Sequence, residues 1–197
     1  MPELMRLSPW EMAGFLTGLA CVWFVVKQRI WNFPLGIVSC GCFFILFMQQ
    51  KLFGEATLQV LFIALGFHGW AQWLQRRQNA AMPGVTSVTR METGLILLAF
   101  VPTTAILWWI LITLSGSAPL IDALVTALSL VAQWLLNRKH IENWLVWIVV
   151  DVLTIGLGIS REMYLLATLY MIFLGMCMVG WYQWRHTMIP QSDGDHV

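Results

Sequence analysis

Residues 142 to 152 read ENWLVWIVVDV, two tryptophans and one aspartate in a run that is otherwise mostly aliphatic. Trp144, Trp147 and Asp151 stand at i, i+3 and i+7, so a helix brings them to one face. Tryptophan faces bind flat rings, and bind cationic rings better still through the ring quadrupole. A nearby carboxylate adds attraction for positive charge. From a helix start at Asn143, Asp151 lies roughly 12 Å along the axis, near the middle of a bilayer if the segment spans one. A carboxylate facing lipid at that depth costs about 2.5–3.5 kcal/mol, so it should face a cavity or a partner. Two roles fit: a ligand group, or a hydrogen-bonded carboxyl that joins helices. Trp144 also suits an interfacial belt; Trp147, a turn deeper, suits it less.

A second polar face lies just upstream. Asp122, Thr126, Ser129 and Gln133 fall at i, i+4, i+7 and i+11, one stripe on a segment otherwise made of Leu, Val and Ala. In lipid such a stripe should point inward. Gln133 is the strongest ligand candidate of the four, because an amide both donates and accepts. Asp122 has a competing role in a first turn after Pro119, where the helix dipole favours a carboxylate. Gln59, Phe62, Gly66 and Trp70 or Trp73 share a third segment, and Tyr170, Phe173, Cys177, Trp181 and Trp184 share a seventh. His68, Gln72 and Gln183 read as packing and helix–helix hydrogen-bonding groups. Taken together, these side chains suit a small, flat, cationic aromatic solute with polar substituents.

The elements that must position them follow from composition. The chain has 197 residues, 59% hydrophobic and 11% charged, less than half the charge usual in a soluble domain. Seven stretches are long and apolar enough to span a bilayer: roughly 10–27, 33–49, 55–74, 93–114, 120–137, 143–159 and 163–184. Polar breaks separate them: KQR, QQK, RRQNAAMPGVTSVTR, SGSAP, NRKH and SRE. The fold expected is an all-α integral membrane protein of seven transmembrane helices. The net charge of +1 argues against a nucleic-acid partner. No phosphate loop, H-E-x-x-H or G-x-S-x-G motif occurs, so no enzyme, metal or cofactor is expected. Cys21, Cys40, Cys42 and Cys177 sit in apolar runs and read as packing residues.

Lysine and arginine give an orientation. Lys27, Arg29, Arg76, Arg77, Arg90, Arg138, Lys139 and Arg185 fall on one side, and Arg6, Lys51 and Arg161 on the other. The bias puts the N-terminus outside and the C-terminus in the cytoplasm. A shift of 111 residues aligns the two ends of the chain without a gap. It carries Trp23 onto Trp134, Asn32 onto Asn143, ATL at 56–58 onto 167–169, and GWAQW at 69–73 onto GWYQW at 180–184. Three helices, a linker helix and three more leave both copies facing the same way, a parallel 3+1+3 repeat. The expected divisions are a first bundle at 10–74, a cytoplasmic loop and linker helix at 75–119, a second bundle at 120–185 and a polar tail at 186–197. Transporters with such repeats bind substrate near the midplane between the halves. Trp147 pairs with Gly36 and Asp151 with Cys40, so the site should be built mainly on the second half.

With the repeat in hand, ENWLVWIVVDV resembles the PnuC family of bacterial vitamin transporters. The likeness rests also on WNFPLGIVS at 31–39, LQVLFIALGFHGWAQW at 58–73, LSLVAQWLLNRKHIENWLVWIVVDV at 128–152 and YLLATLYMIF at 164–173, and covers about residues 10 to 185. It implies a seven-helix fold related to full-length SWEET transporters. It also implies uptake of nicotinamide riboside, thiamine or riboflavin by facilitated diffusion across the bacterial inner membrane, coupled to a cytoplasmic vitamin kinase. The family's WxxW motif falls on Trp144 and Trp147, with Asn143 beside it; Gln59, Gln133 and Tyr170 are further substrate candidates. Oligomeric state, including a homo-oligomer, stays open, as does a non-transporting receptor.

Overall fold

The computed structural model describes residues 8–49, 53–79, 84–113 and 119–188. Arg6, Lys51, most of the SGSAP break and the tail beyond Met188 lie outside the described residues. Among the described residues seven helices run in chain order: α1 (Pro9–Val26), α2 (Asn32–Gln49), α3 (Phe53–Gln78), α4 (Arg90–Thr113), α5 (Pro119–Asn137), α6 (Asn143–Ser160) and α7 (Tyr164–Thr187). Their starts have local causes. Ser8 caps α1 by accepting the Glu11 N–H at 3.1 Å, with Pro9 at the first helical position. Thr89 and Glu92 form a capping box at α4: the Glu92 N–H donates to Thr89 Oγ1 at 3.2 Å and the Thr89 N–H to Glu92 Oε2 at 3.0 Å.

Among the described residues, six of the helices, all but α3, are long and apolar enough to cross a membrane. α3 has 26 residues, enough for about 39 Å. Its run is diluted by Gln59, His68, Gln72 and Gln75 and ends on Arg76 and Arg77. α4 is apolar all round and none of its residues is buried; Leu98 and Trp109 are among its most exposed. A helix with this composition and this exposure belongs against hydrocarbon, where its backbone bonds are satisfied internally.

The chain divides into two compact units, Met1–Asn79 and Ala80–Val197. In the first, α2 packs against both α1 and α3; in the second, α6 packs against both α5 and α7, and α4 against α5. The internal geometry of the two repeats at the 111-residue shift. α2 maps onto α6 end to end. In the first unit the Asn32 amide donates to Arg29 O at 2.9 Å, and in the second Asn143 donates to His140 O at 2.6 Å. Gln28 and Lys139 close the preceding helices with φ of 52° and 58°, the left-handed conformation that ends a helix. Lys27 lies over the Trp23 ring at 5.0 Å and Arg138 over Trp134 at 4.5 Å. Phe33 meets Trp73 edge-on at 5.2 Å and 84°, and Trp144 meets Trp184 at 5.4 Å and 89°.

This last pair accounts for GWxQW. In α7, Gly180 and Trp184 are one turn apart and face Trp144 together. A Cβ on Gly180 would lie 2.4 Å from the Trp144 ring. The glycine lets the indole lie against the helix, and Trp184, fully buried, takes its edge.

Candidate functional site

On α6 the exposed residues Leu145, Val149, Val152 and Ile159 follow one face, while Trp144, Asp151, Thr154 and Gly158 are buried on the other. Trp147 lies one turn before Asp151, half-buried. Among the described residues Trp147 has no ring or hydrogen-bond partner, which sets it apart from Trp144, locked against Trp184. Asp151 is 2% exposed, and its Oδ2 accepts the Cys177 thiol at 3.4 Å. A thiol is a weak donor, so the carboxyl is far from saturated by this contact.

Asn143 and Trp144 are the most enclosed polar groups of the segment, 0% and 1% exposed. The Asn143 amide nitrogen is used on the turn, but among the described residues Asn143 Oδ1 and Trp144 Nε1 have no hydrogen-bond partner. Each such atom costs about 1–3 kcal/mol unless a water or ligand meets it.

The α5 stripe is put to several uses. Asp122 pairs with Arg161 at 2.8 Å, tying the first turn of α5 to the turn after α6. Thr126 is half-buried. Ser129 is buried and spends its proton on Val125 O, one turn back, at 2.8 Å. Gln133 is half-buried and donates to Asn137 Oδ1 at 3.0 Å. On α7, Tyr170 stands edge-on to Phe173 at 5.6 Å and 90°. Gln59 belongs to the first unit, where it is half-buried on α3. His68, exposed, bonds Gln72 of its own helix at 3.0 Å.

The second unit differs from the first where the polar pair sits. Gly36 stands at the Trp147 position, and a Cβ there would lie 3.1 Å from Cys21 Sγ of α1. The residue matching Cys21 is Ala132, which is smaller and fully buried. Asp151 and Cys177 match Cys40 and Gly66, and a Cβ on Gly66 would lie 3.1 Å from Ile37. In the first unit these positions are closed by helix packing; in the second they carry an indole and a carboxyl. Cys177 as the Asp151 partner and Gly180 as the seat of Trp144 were not singled out by spacing. The signal for both was the repeat, at positions where it changes (Gly66 to Cys177) and where it holds (Gly69 to Gly180).

A family model described as nicotinamide mononucleotide transporter matches residues 8–186 of the chain. The nicotinamide riboside transporter PnuC of Escherichia coli (strain K12) is 27% identical over 204 residues, covering 90% of this chain and 85% of the relative. The riboflavin/roseoflavin transporter RibM of Streptomyces davaonensis is 27% identical over 184 residues, covering 88% of this chain and 83% of the relative. A crystal structure of the vitamin B3 transporter PnuC superimposes with a TM-score of 0.71 at 27% identity, over 88% of this chain and 79% of that one.

Proposed function

We infer the function from one premise: the chain belongs to the nicotinamide mononucleotide transporter family. It is a multi-pass membrane protein that carries a small vitamin, and we assign nicotinamide riboside as the solute. The observation that carries this assignment is the alignment with a named nicotinamide riboside transporter across 90% of the chain. The site chemistry agrees with it. Nicotinamide riboside presents a flat cationic pyridinium, a carboxamide and ribose hydroxyls. Trp147 offers the pyridinium a ring face and Asp151 the opposite charge. Asn143 Oδ1 and Trp144 Nε1 are an acceptor and a donor in want of partners, suited to the carboxamide or to hydroxyls. Gln133, Ser129, Thr126 and Tyr170 supply further polar contacts in the same unit.

The transport mode we propose is facilitated diffusion by alternating access, made one-way by a cytoplasmic kinase that traps the vitamin. The architecture is the parallel 3+1+3 arrangement akin to full-length SWEET transporters, in the bacterial inner membrane with the N-terminus outside. Riboflavin is the second candidate, favoured by the RibM alignment. Uptake of labelled nicotinamide riboside into vesicles containing only this protein tests the assignment. A thermal-shift panel with thiamine, riboflavin and nucleosides ranks the alternatives, because a ligand stabilises the state it binds. Stabilisation by riboflavin alone would replace nicotinamide riboside as the substrate. Binding without flux would make the protein a receptor.

Asp151 separates the two leading solutes. Asp151→Asn keeps the size and removes the charge. It is expected to weaken nicotinamide riboside by roughly tenfold, about 1.4 kcal/mol, and to leave a neutral flavin unaffected. Titration of the purified variant reads both. Equal affinity for nicotinamide riboside before and after the change would reduce Asp151 to a link between α6 and Cys177 of α7.

A further inference from the structure

Residues 84–88, which precede the α4 cap, fold onto the α5–α6 turn. The Thr86 N–H donates to Lys139 O at 3.2 Å and Thr86 O accepts the Ile141 N–H at 2.9 Å. Thr86 Oγ1 lies 3.1 Å from His140 Nδ1. Glu142 precedes α6 but makes no cap for it. Its side chain turns to the segment instead: one oxygen accepts the Ser87 hydroxyl, and the other accepts the Val88 N–H at 3.1 Å. Val85, 1% exposed, bridges to Met188 just past α7. Glu92, in the first turn of α4, takes Arg138 at 3.1 Å and lies 3.5 Å from His140. The segment is a strap across the ends of α5, α6 and α7.

The repeat supplies an internal control. The turn from Lys27 to Trp31 makes the same backbone bonds as the turn from Arg138 to Glu142: Lys27 to Trp23 O and Arg138 to Trp134 O, Arg29 to Phe24 O and His140 to Leu135 O, Asn32 to Arg29 O and Asn143 to His140 O. Yet the residue matching Glu142 is Trp31, 64% exposed. The turn therefore forms without a carboxylate at that position, and Glu142 with its strap contacts serves something the second unit has and the first lacks. The second unit has α4, into which the strap leads, and the indole and carboxyl of the candidate site, whose Asn143 and Trp144 directly follow Glu142.

We propose that the 84–88 strap, acting through Glu142, is a positioning device for the substrate site: it fixes the first turn of α6 and so the setting of Asn143, Trp144 and Trp147. Glu142 does not touch substrate; it acts through its neighbours. The proposal rests on the transporter assignment, so its test has one readout that needs no substrate. Hydrogen exchange on the full-length, ligand-free protein compares residues 140–147 with the related 29–36. Glu142→Ala should speed exchange at 140–147 by about tenfold and leave 29–36 unchanged. In vesicles it should raise the half-saturating nicotinamide riboside concentration by about fivefold, with the maximal rate within about twofold. Glu142→Gln should restore most of both, because its amide oxygen accepts the Val88 N–H while its NH₂ donates to the Ser87 hydroxyl. Unchanged exchange at 140–147 overturns the strap's role, and so does faster exchange with unaltered half-saturation. Should the parent protein carry no nicotinamide riboside, the transporter assignment fails by itself, and exchange still decides whether the strap holds α6.

Discussion

Replacing Trp147 by alanine should weaken nicotinamide riboside binding by roughly five- to 150-fold while the protein remains folded and monodisperse in detergent. The magnitude is that of one aromatic face lost from a stacked base, about 1–3 kcal/mol. The stability half follows from the surroundings. Trp147 is half-buried and, among the described residues, has no ring or hydrogen-bond partner, so its removal strands no polar group and breaks no aromatic pair. Trp144, three residues earlier, is the contrasting case. It is 1% exposed, packed on Trp184 and seated on Gly180, and truncating so buried an indole costs about 3–5 kcal/mol. Two tryptophans of one WxxW motif should thus divide by stability: Trp144→Ala lowers the melting temperature, whereas Trp147→Ala lowers affinity and leaves the melting temperature near the parent's. A Trp147→Ala protein that binds as tightly as the parent would remove this residue from the site.

How far sequence could reach is visible in the same residues. Hydropathy marked the spans, and the ends of α2 and α6 lie within a residue of the limits it gave, because polar turns flank both. It placed the third span at 55–74 and the fourth at 93–114, whereas α3 runs on to Gln78 and α4 starts at Arg90. A helix continues past its apolar stretch when charged residues suit its ends, as Arg76 and Arg77 suit the C-terminus of α3. Thr89 and Glu92 carried a capping-box signature where the polar break ending at Arg90 meets the span that was started at 93. The 111-residue repeat was legible because related residues solve related problems: an asparagine ties each turn and a tryptophan of GWxQW meets a ring edge-on in each unit. Partners distant in sequence were not. Asp122 showed its helical register but not Arg161, and Asp151 its depth but not Cys177. Periodicity assigns a residue to a face of its own helix and is blind to which helix lies opposite. The strap was least legible of all, since its bonds use backbone groups and a hydroxyl of a segment with no periodicity.

Gly180→Ala should be among the most damaging single-methyl changes in the chain, and a second substitution should repair it. A Cβ 2.4 Å from two atoms of the Trp144 ring is well inside contact distance, and the atoms it meets belong to a rigid indole already held by Trp184. The indole must leave its seat or α7 must retreat from α6. Overpacking of this kind costs about 1–3 kcal/mol, and in a bundle this size it should appear as a drop of several degrees in melting temperature. The first unit carries a smaller ring at this place, beside a glycine, Gly69, that it keeps. There the ring at the Trp144 position is Phe33, one ring smaller, and it still meets Trp73 edge-on at 5.2 Å. Trp144→Phe in the Gly180→Ala background should therefore recover most of the lost stability. It removes the indole N–H, however, a buried donor beside Asn143 with no partner among the described residues. The double variant should fold like the parent and bind nicotinamide riboside about tenfold less well, the cost of one hydrogen bond to a buried group. Thermal melting with and without ligand reads both quantities in one experiment. Full recovery of stability together with parental affinity would mean that Trp144 only packs, and that Trp147 and Asp151 recognise the solute without it.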